Sequence, residues 1–370
     1  MTPRRPHRGI TLLEVVAVIF ILLVLVALIL PALGPASDLS RRARCINNLK
    51  QMALATLNYE SAHGVFPPAF GPSPTIEVLN YPRASVQVAI LPFLGGIEEV
   101  RLYDGFNFRF GLQGVADHPN QDPNLTAAST QVSTFICPSD PAEAKLQGRI
   151  GFDNYFASIG ATACAELGPA PPHYPANMVE TDVRLAGIFN VTLDHAAPAV
   201  LPDGSYNPDY RKVAGWSTIA SATDGTAATS LFSETLRSAS VHGEAESIAA
   251  DSLRNVYGVS TASFTTPAPP SPATCREGRR IAYRGQQYYR ASAATSFYSH
   301  TMTPNAPVSD CANVDSDFVA GHTAARSAHP GGVDVGLADG SVRFIKNTID
   351  PAVWRALGTK AGGEKIPADY

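Results

Sequence analysis

Charge is scarce in this chain. Lys, Arg, Asp and Glu make up 16% of its 370 residues, against roughly a quarter in ordinary globular domains. The formal net charge is −4, and no basic run is interleaved with aromatics, which excludes the electrostatic footprint of a nucleic-acid binder. Cysteine is sparse: the five present include no Cys-x-x-Cys, so zinc-ribbon and thioredoxin-like readings fail. Also missing are a Gly-x-Ser-x-Gly elbow, a phosphate-binding loop, His-Glu-x-x-His and Gly-x-Gly-x-x-Gly, which leaves no positive case for an enzyme. Asp194-His195 and Ser299-His300 are neighbours only along the chain, and catalytic triads are recognised by geometry. No repeat at a solenoid period is present.

What the chain has is one long apolar run and many turn formers. Val15 to Leu30 are sixteen consecutive apolar residues; with Ile10 to Glu14 before them they supply the ~20 residues a membrane-spanning helix needs. A secretory signal peptide has a core of roughly 7–15 residues followed by an Ala-x-Ala-like site, and Leu30-Pro31-Ala32-Leu33-Gly34 is a poor one. Glu14 sits at the mouth of this run. A carboxylate at mid-membrane costs about 2.5–3.5 kcal/mol on insertion scales, so it needs a partner or a task. Cutting the chain after Gly9 would make Ile10 a new N-terminus whose ammonium is such a partner. Beyond the run, Leu39, Ile46, Leu49, Ala53 and Leu57 recur along one face of an amphipathic helix over Ala36 to about Ala62. Pro31 and Pro35 lie between the two stretches. Proline removes a backbone bond, which predicts one long helix bent or locally melted near residues 31–35, or else a short linker between two helices. The remainder, carrying most of the 29 Gly and 30 Pro, reads as loops and turns around a β-rich core. Gly168 to His173 and Pro267 to Pro272 are stiff surface loops.

The segment Arg8-Gly9-Ile10-Thr11-Leu12-Leu13-Glu14, followed by the apolar run, resembles the class III signal of type IV prepilins and type II secretion pseudopilins. Ile10 stands where such signals most often have Phe. The resemblance implies cleavage between Gly9 and Ile10 by a prepilin peptidase, N-methylation of Ile10, and a role in subunit assembly for Glu14, Thr11 and Pro31. It also decides the orientation, with the short tail in the cytoplasm. Positive charge alone does not, because Arg4, Arg5 and Arg8 precede the run while Arg41, Arg42 and Arg44 follow it. Further motifs narrow the resemblance: Arg41-Arg42-Ala43-Arg44-Cys45-Ile46-Asn47-Asn48-Leu49-Lys50-Gln51, Gly64 to Pro68, Phe135-Ile136-Cys137-Pro138-Ser139-Asp140, Thr223 to Thr226, and His329 followed after nine residues by Asp339-Gly340. Together they are similar to the prepilin-type proteins of the domain-of-unknown-function 1559 family. Ala228 departs from the Asn usual there. That family implies a pilin-like fold and no established activity.

The C-terminal motif reads as a hairpin. Val333, Val335 and Leu337 alternate with Asp334, Gly336 and Ala338, and Asp339-Gly340 is a two-residue turn signal. A two-residue turn pairs Leu337 with Val342 and Val335 with Phe344. At ~3.3 Å per residue, His329 and Asp339 would then stand about 20–30 Å apart and share no site. Asp339 is expected to form the turn, and His329 to cap, hydrogen-bond or bind, with Glu234 or Asp224 as partners. Asp310, Asp315 and Asp317 form the densest acidic group and are the candidate calcium ligands, by analogy with pseudopilins that hold calcium in a C-terminal loop. They do not complete the twelve-residue calcium pattern. Cys275 and Cys311 flank a Tyr-rich excursion and are the preferred disulfide pair, with Cys137–Cys164 the second choice and Cys45 a small apolar residue of the helix. Asp350 and Pro351 mark the cap and first turn of a last short helix.

These readings combine into an α+β, type IV pilin-like subunit: a leader of residues 1–9, a long helix over 10–62 with a transmembrane segment over 10–30, and an enlarged antiparallel β-sheet head over 63–370. The expected function is polymerisation into a type IV pilus or a type II secretion pseudopilus. The alternative is an anchored periplasmic or surface protein that binds carbohydrate or calcium without polymerising. The partners implied are the prepilin peptidase/N-methyltransferase, neighbouring pilin-like subunits and the inner membrane, with the head periplasmic or on the cell surface. No cofactor is expected apart from calcium, and no nucleic acid.

Overall fold

The computed structural model describes residues 11–70, 84–108, 110, 112, 122–142, 151–169, 179–198, 201–204, 207, 212–238, 253–260, 278–281, 283–314 and 319–367; the side chains of 25–37 are outside that description. Helix α1 runs from Leu12 to His63 without interruption, about 78 Å at 1.5 Å per residue. Thr11 caps its start and Gly64 ends it, with φ +74° and its N–H donating to Glu60 O. This left-handed cap needs glycine's freedom. The melting expected near residues 31–35 does not occur. Pro31 and Pro35 are one turn apart, and proline's fixed φ is itself helical, so each removes a rung without breaking the path. Among the described residues no helix is long and apolar enough to cross a membrane; the expected span, 10–30, lies partly outside them.

The second half of α1 is packed. Cys45, Leu49, Met52, Ala53 and Thr56 are buried, a stripe at helical spacing. Leu39, expected on that stripe, is 71% exposed because it precedes the first turn that meets the head. The stripe lies on a five-stranded sheet ordered β13-β12-β6-β1-β9, comprising β1 (Tyr155–Ser158), β6 (Ser230–Glu234), β9 (Phe297–Tyr298), β12 (Gly332–Leu337) and β13 (Val342–Lys346). On the α1 side, Leu49 and Ala53 join Tyr155, Phe232 and Ala338 in the main core. On the far side, Val333, Val335, Leu337 and Ile345 pack with Trp354 and Leu357. Two four-stranded sheets complete the head: β3-β2-β4-β5 and β11-β10-β7-β8. The first holds β2 (Glu166–Leu167), β3 (Val179–Glu180), β4 (Val191–Leu193) and β5 (Val213–Gly215). The second holds β7 (Val256–Val259), β8 (Arg279–Ile281), β10 (Asp310–Asn313) and β11 (Gly321–His322). Short helices α2 (Val86–Ile90), α3 (Ile97–Asp104) and α4 (Leu125–Ser129) precede the first strand, and α5 (Pro351–Gly358) follows the last. The Asp350 carboxylate accepts from the N–H groups of Ala352 and Val353 at the start of α5.

The fold is α+β, with three corrections to expectation. First, the sheets are mixed. β1–β9, β2–β3, β2–β4 and β7–β10 are parallel pairs, because long excursions bring distant strands side by side where hairpins would give an antiparallel sheet. Second, the C-terminal hairpin is one residue out of the expected register: Val335 faces Arg343 and Gly336 faces Val342. Its loop is the three residues Ala338-Asp339-Gly340, closed by Leu337 N–H to Ser341 O and Gly340 N–H to Leu337 O, at 2.8 and 3.0 Å. Gly340 takes the left-handed φ of +84° that such a loop requires. Third, Cys45 is disulfide-bonded to Cys137, across 92 residues, with Cα atoms 4.8 Å apart. Cys164 remains a buried thiol, and burial pushes its pKa up to about 12. Cys311 is also disulfide-bonded, while Cys275 lies outside the described residues.

Candidate functional site

At the start of α1, Thr11 and Glu14 satisfy each other. Glu14 N–H donates to Thr11 Oγ1 at 3.3 Å, and Glu14 Oε2 accepts from Thr11 N–H at 2.8 Å and from its hydroxyl at 3.0 Å. This is a capping box, in which two orphan donors of the first turn are met reciprocally. Both residues are exposed. Gly9 and Ile10 lie outside the described residues, as does the Pro31 side chain.

The second candidate lies inside the head, where α1 meets the five-stranded sheet. Four elements converge: α1 brings Cys45, the loop after the short turn Ser133–Phe135 brings Cys137, the end of β6 brings Glu234, and the loop before β12 brings His329. One donor atom of each lies within 4.8 Å of the other three, and the four residues are only 0–6% exposed. Glu234 is held at both oxygens. Oε2 accepts from Asp334 N–H at 2.9 Å, while Oε1 lies 3.1 Å from His329 Nε2 and 3.7 Å from Cys137 Sγ. His329 Nε2, for all that proximity, makes no aligned hydrogen bond. Burial opposes a charge on this ring, yet the Glu234 and Asp334 carboxylates hold its pKa above the ordinary value. Burial, followed by the Glu234 charge, pushes Asp334 up to about 6, although Arg42 lies 3.7 Å away and opposes the shift. The Arg42 guanidinium itself stacks on Phe344, 4.4 Å from the ring centroid.

The surroundings fix these groups. Tyr155 donates its hydroxyl to Cys45 O at 3.3 Å, and Asn48 donates to Ile136 O at 2.8 Å. Cys137 N–H donates to Asn154 Oδ1 at 3.1 Å. Asn154 in turn donates to Asp140, whose carboxylate pairs with Arg237 and Arg254. Despite burial, those arginines hold Asp140 below the usual carboxylate range. These hydrogen bonds and ion pairs tie α1 and the Cys137 loop to the sheet.

His329 and Asp339 are not brought together. Asp339 Oδ1 accepts from Ser341 N–H at 2.8 Å and from its hydroxyl at 2.6 Å, and so shapes the turn with Gly340. Asp310 is not available to calcium: it is buried in β10 and ion-paired with both Arg284 and Arg326, which occupy the oxygens a hard cation would need. Asp315 and Asp317 lie outside the described residues. Sequence reading placed no site at Cys45 or Cys137. The legible signal was the position of Cys45, which falls with Leu49, Met52 and Ala53 on the buried stripe of α1.

A family model described as a protein of unknown function (DUF1559) matches residues 37–352. A second, described as a prokaryotic N-terminal methylation motif, matches residues 4–30. No curated protein and no solved structure matches the chain.

Proposed function

The chain belongs to the DUF1559 family and carries a prokaryotic N-terminal methylation motif, and from that premise we propose that it is a pilin-like subunit of an extracytoplasmic filament. Its leader, residues 1–9, is removed by a prepilin peptidase between Gly9 and Ile10, and the new amine of Ile10 is methylated. Residues 10–30 then anchor the subunit in the inner membrane, with the head, 63–370, on the periplasmic side, until it joins a type IV pilus or secretion pseudopilus. The observation that carries this reading is the methylation motif running directly into α1, with Glu14 in the first turn.

The capping box supports a mechanism for assembly. In the single subunit Glu14 is satisfied by Thr11, a reciprocal cap at an exposed helix start. An ammonium on a neighbouring subunit offers more in a low-dielectric bundle, since charge attraction scales inversely with the local dielectric constant. Membrane helices gain little from mutual hydrophobicity, so exchanging the cap for an intersubunit ion pair fixes axial register. Glu14→Ala is therefore expected to leave cleavage intact and to abolish incorporation into filaments, read by shearing the cells and blotting for the subunit. Normal incorporation of the variant would overturn the reading. Cleavage of both wild type and variant with no filament from either would favour the anchored, non-polymerising alternative.

A further inference from the structure

The assembly reading makes no use of the four-donor cluster in the head. We infer that, while its two cysteines are reduced, this cluster is a closed tetrahedral Zn²⁺ site with Cys45, Cys137, Glu234 and His329 as ligands. Zn–S bonds of ~2.3 Å and Zn–N or Zn–O bonds of ~2.0–2.1 Å put the edges of a zinc tetrahedron at roughly 3.3–3.8 Å. Glu234 Oε1 already lies 3.1 Å from His329 Nε2 and 3.7 Å from Cys137 Sγ, and all four donors are within 4.8 Å of one another. His329 Nε2 is buried inside this ring of donors, 3.1 Å from Glu234 Oε1 but without an aligned hydrogen bond. A metal between the two would ligate both. Glu234 has its second oxygen tied to Asp334 N–H, the outer-shell contact that orients a ligating carboxylate. The donor set also selects the ion, because thiolate and imidazole suit zinc and discriminate against calcium and magnesium. With two thiolates and one carboxylate around Zn²⁺, the site carries one net negative charge, beside the Arg42 guanidinium.

The zinc form and the disulfide form exclude each other. Binding converts two thiols and Zn²⁺ into a zinc dithiolate and releases two protons. Oxidation by an external disulfide transfers two electrons to it, takes up two protons from solvent, forms the Cys45–Cys137 bond, yields two external thiols and frees the ion. The sulfurs move from ~2.05 Å apart in a disulfide to about 3.8 Å in the metal site, a shift that side-chain rotation at Cα atoms 4.8 Å apart supplies. Every chain is synthesised with its thiols reduced, so a head that folds before oxidation presents the site. The metal would join all four elements, and the disulfide that replaces it keeps α1 joined to the Cys137 loop.

The test uses the full chain in detergent, reduced with a phosphine, stripped of metal and titrated with Co²⁺. The expected result is one Co²⁺ per chain, with the visible absorption of a tetrahedral thiolate site, displaced by one equivalent of Zn²⁺ and absent from the oxidised chain. His329→Gln and Glu234→Gln should each weaken binding at least about tenfold. Cys45→Ala/Cys137→Ala should abolish the band, while Cys164→Ala and Cys275→Ala/Cys311→Ala keep it. If the cysteine variant fails to fold by circular dichroism, the His329→Gln titration decides, because that variant keeps both cysteines. A reduced wild-type chain without the band, or a band unchanged in His329→Gln, would overturn the inference.

Discussion

Replacing both Cys45 and Cys137 by alanine should cost the head about 4 kcal/mol in metal-free buffer. The bond closes a loop of 92 residues, for which the chain-entropy relation gives about 4–5 kcal/mol at 25 °C. The loss falls slightly below that because the joint keeps its other fastenings: Asn48 to Ile136 O and Tyr155 to Cys45 O are untouched by the substitution. Two tryptophans report the transition. Trp354 is buried in the second core and Trp216 is half exposed, so urea unfolding followed by fluorescence is dominated by the head. The midpoint should fall and, if the entropy of the open chain is what changes, wild type and variant should unfold alike once both are in reductant, which also opens the Cys311 bond in each. A loss below about 1 kcal/mol in the variant would show that packing and hydrogen bonds hold α1 to the sheet without help from the disulfide.

Asp310→Asn removes the carboxylate between Arg284 and Arg326, which are fully buried; stranding that charge should cost about 3–5 kcal/mol, read by the same unfolding assay, and a near-neutral effect would contradict the ion-pair assignment. His300 is buried neutral, donating from Nδ1 to Trp354 O and accepting the Tyr298 hydroxyl at Nε2, and burial lowers its pKa to about 3. Its stabilising contribution is therefore full above pH ~6.5 and lost as pH falls toward 3. The stability difference between wild type and His300→Gln should thus shrink by about 1.4 kcal/mol from pH 7.5 to 5.5, and a pH-independent difference would refute it. Gly358→Ala places a Cβ 2.5 Å from the His300 ring, an overpacking expected to cost about 1–3 kcal/mol; a melting temperature equal to wild type would show that the ring yields. Gly340→Ala forces a left-handed φ of +84° on alanine and should cost about 1 kcal/mol, checked by urea midpoint.

Local chemistry made part of this molecule readable. The Asp350-Pro351 start of α5 and the alternating strand before Asp339 each carry their cause within a few residues; so does the Thr11–Glu14 cap, which assigning Glu14 to the Ile10 ammonium passed over. The hairpin register was not readable, because Asp-Gly suits both a two-residue turn and a three-residue loop ending in a left-handed glycine. The choice is made from outside the hairpin: Ala338 is buried in the main core and its N–H donates to Thr229 O, which spends one more residue in the loop. The Cys45–Cys137 bond spans too much chain for spacing to assign. Reading Cys45 as a small apolar residue overlooked that the stripe of α1 aims it at the sheet. Glu234 could be considered as a partner for His329 from the residues alone, but only the β6–β12 pairing brings them within 3.1 Å. Leu39 fitted the helical period and is exposed, because periodicity does not say where a helix leaves the head.

The processed N-terminus separates a filament subunit from a permanent anchor. The full chain should be expressed with and without a prepilin peptidase, beside a Gly9→Leu control, and its intact N-terminal peptide weighed by mass spectrometry. A chain beginning at methylated Ile10 only when the peptidase is present, and beginning at Met1 in the control, is the predicted result. A wild-type chain that still begins at Met1 with active peptidase would make the segment a permanent anchor and contradict the filament assignment.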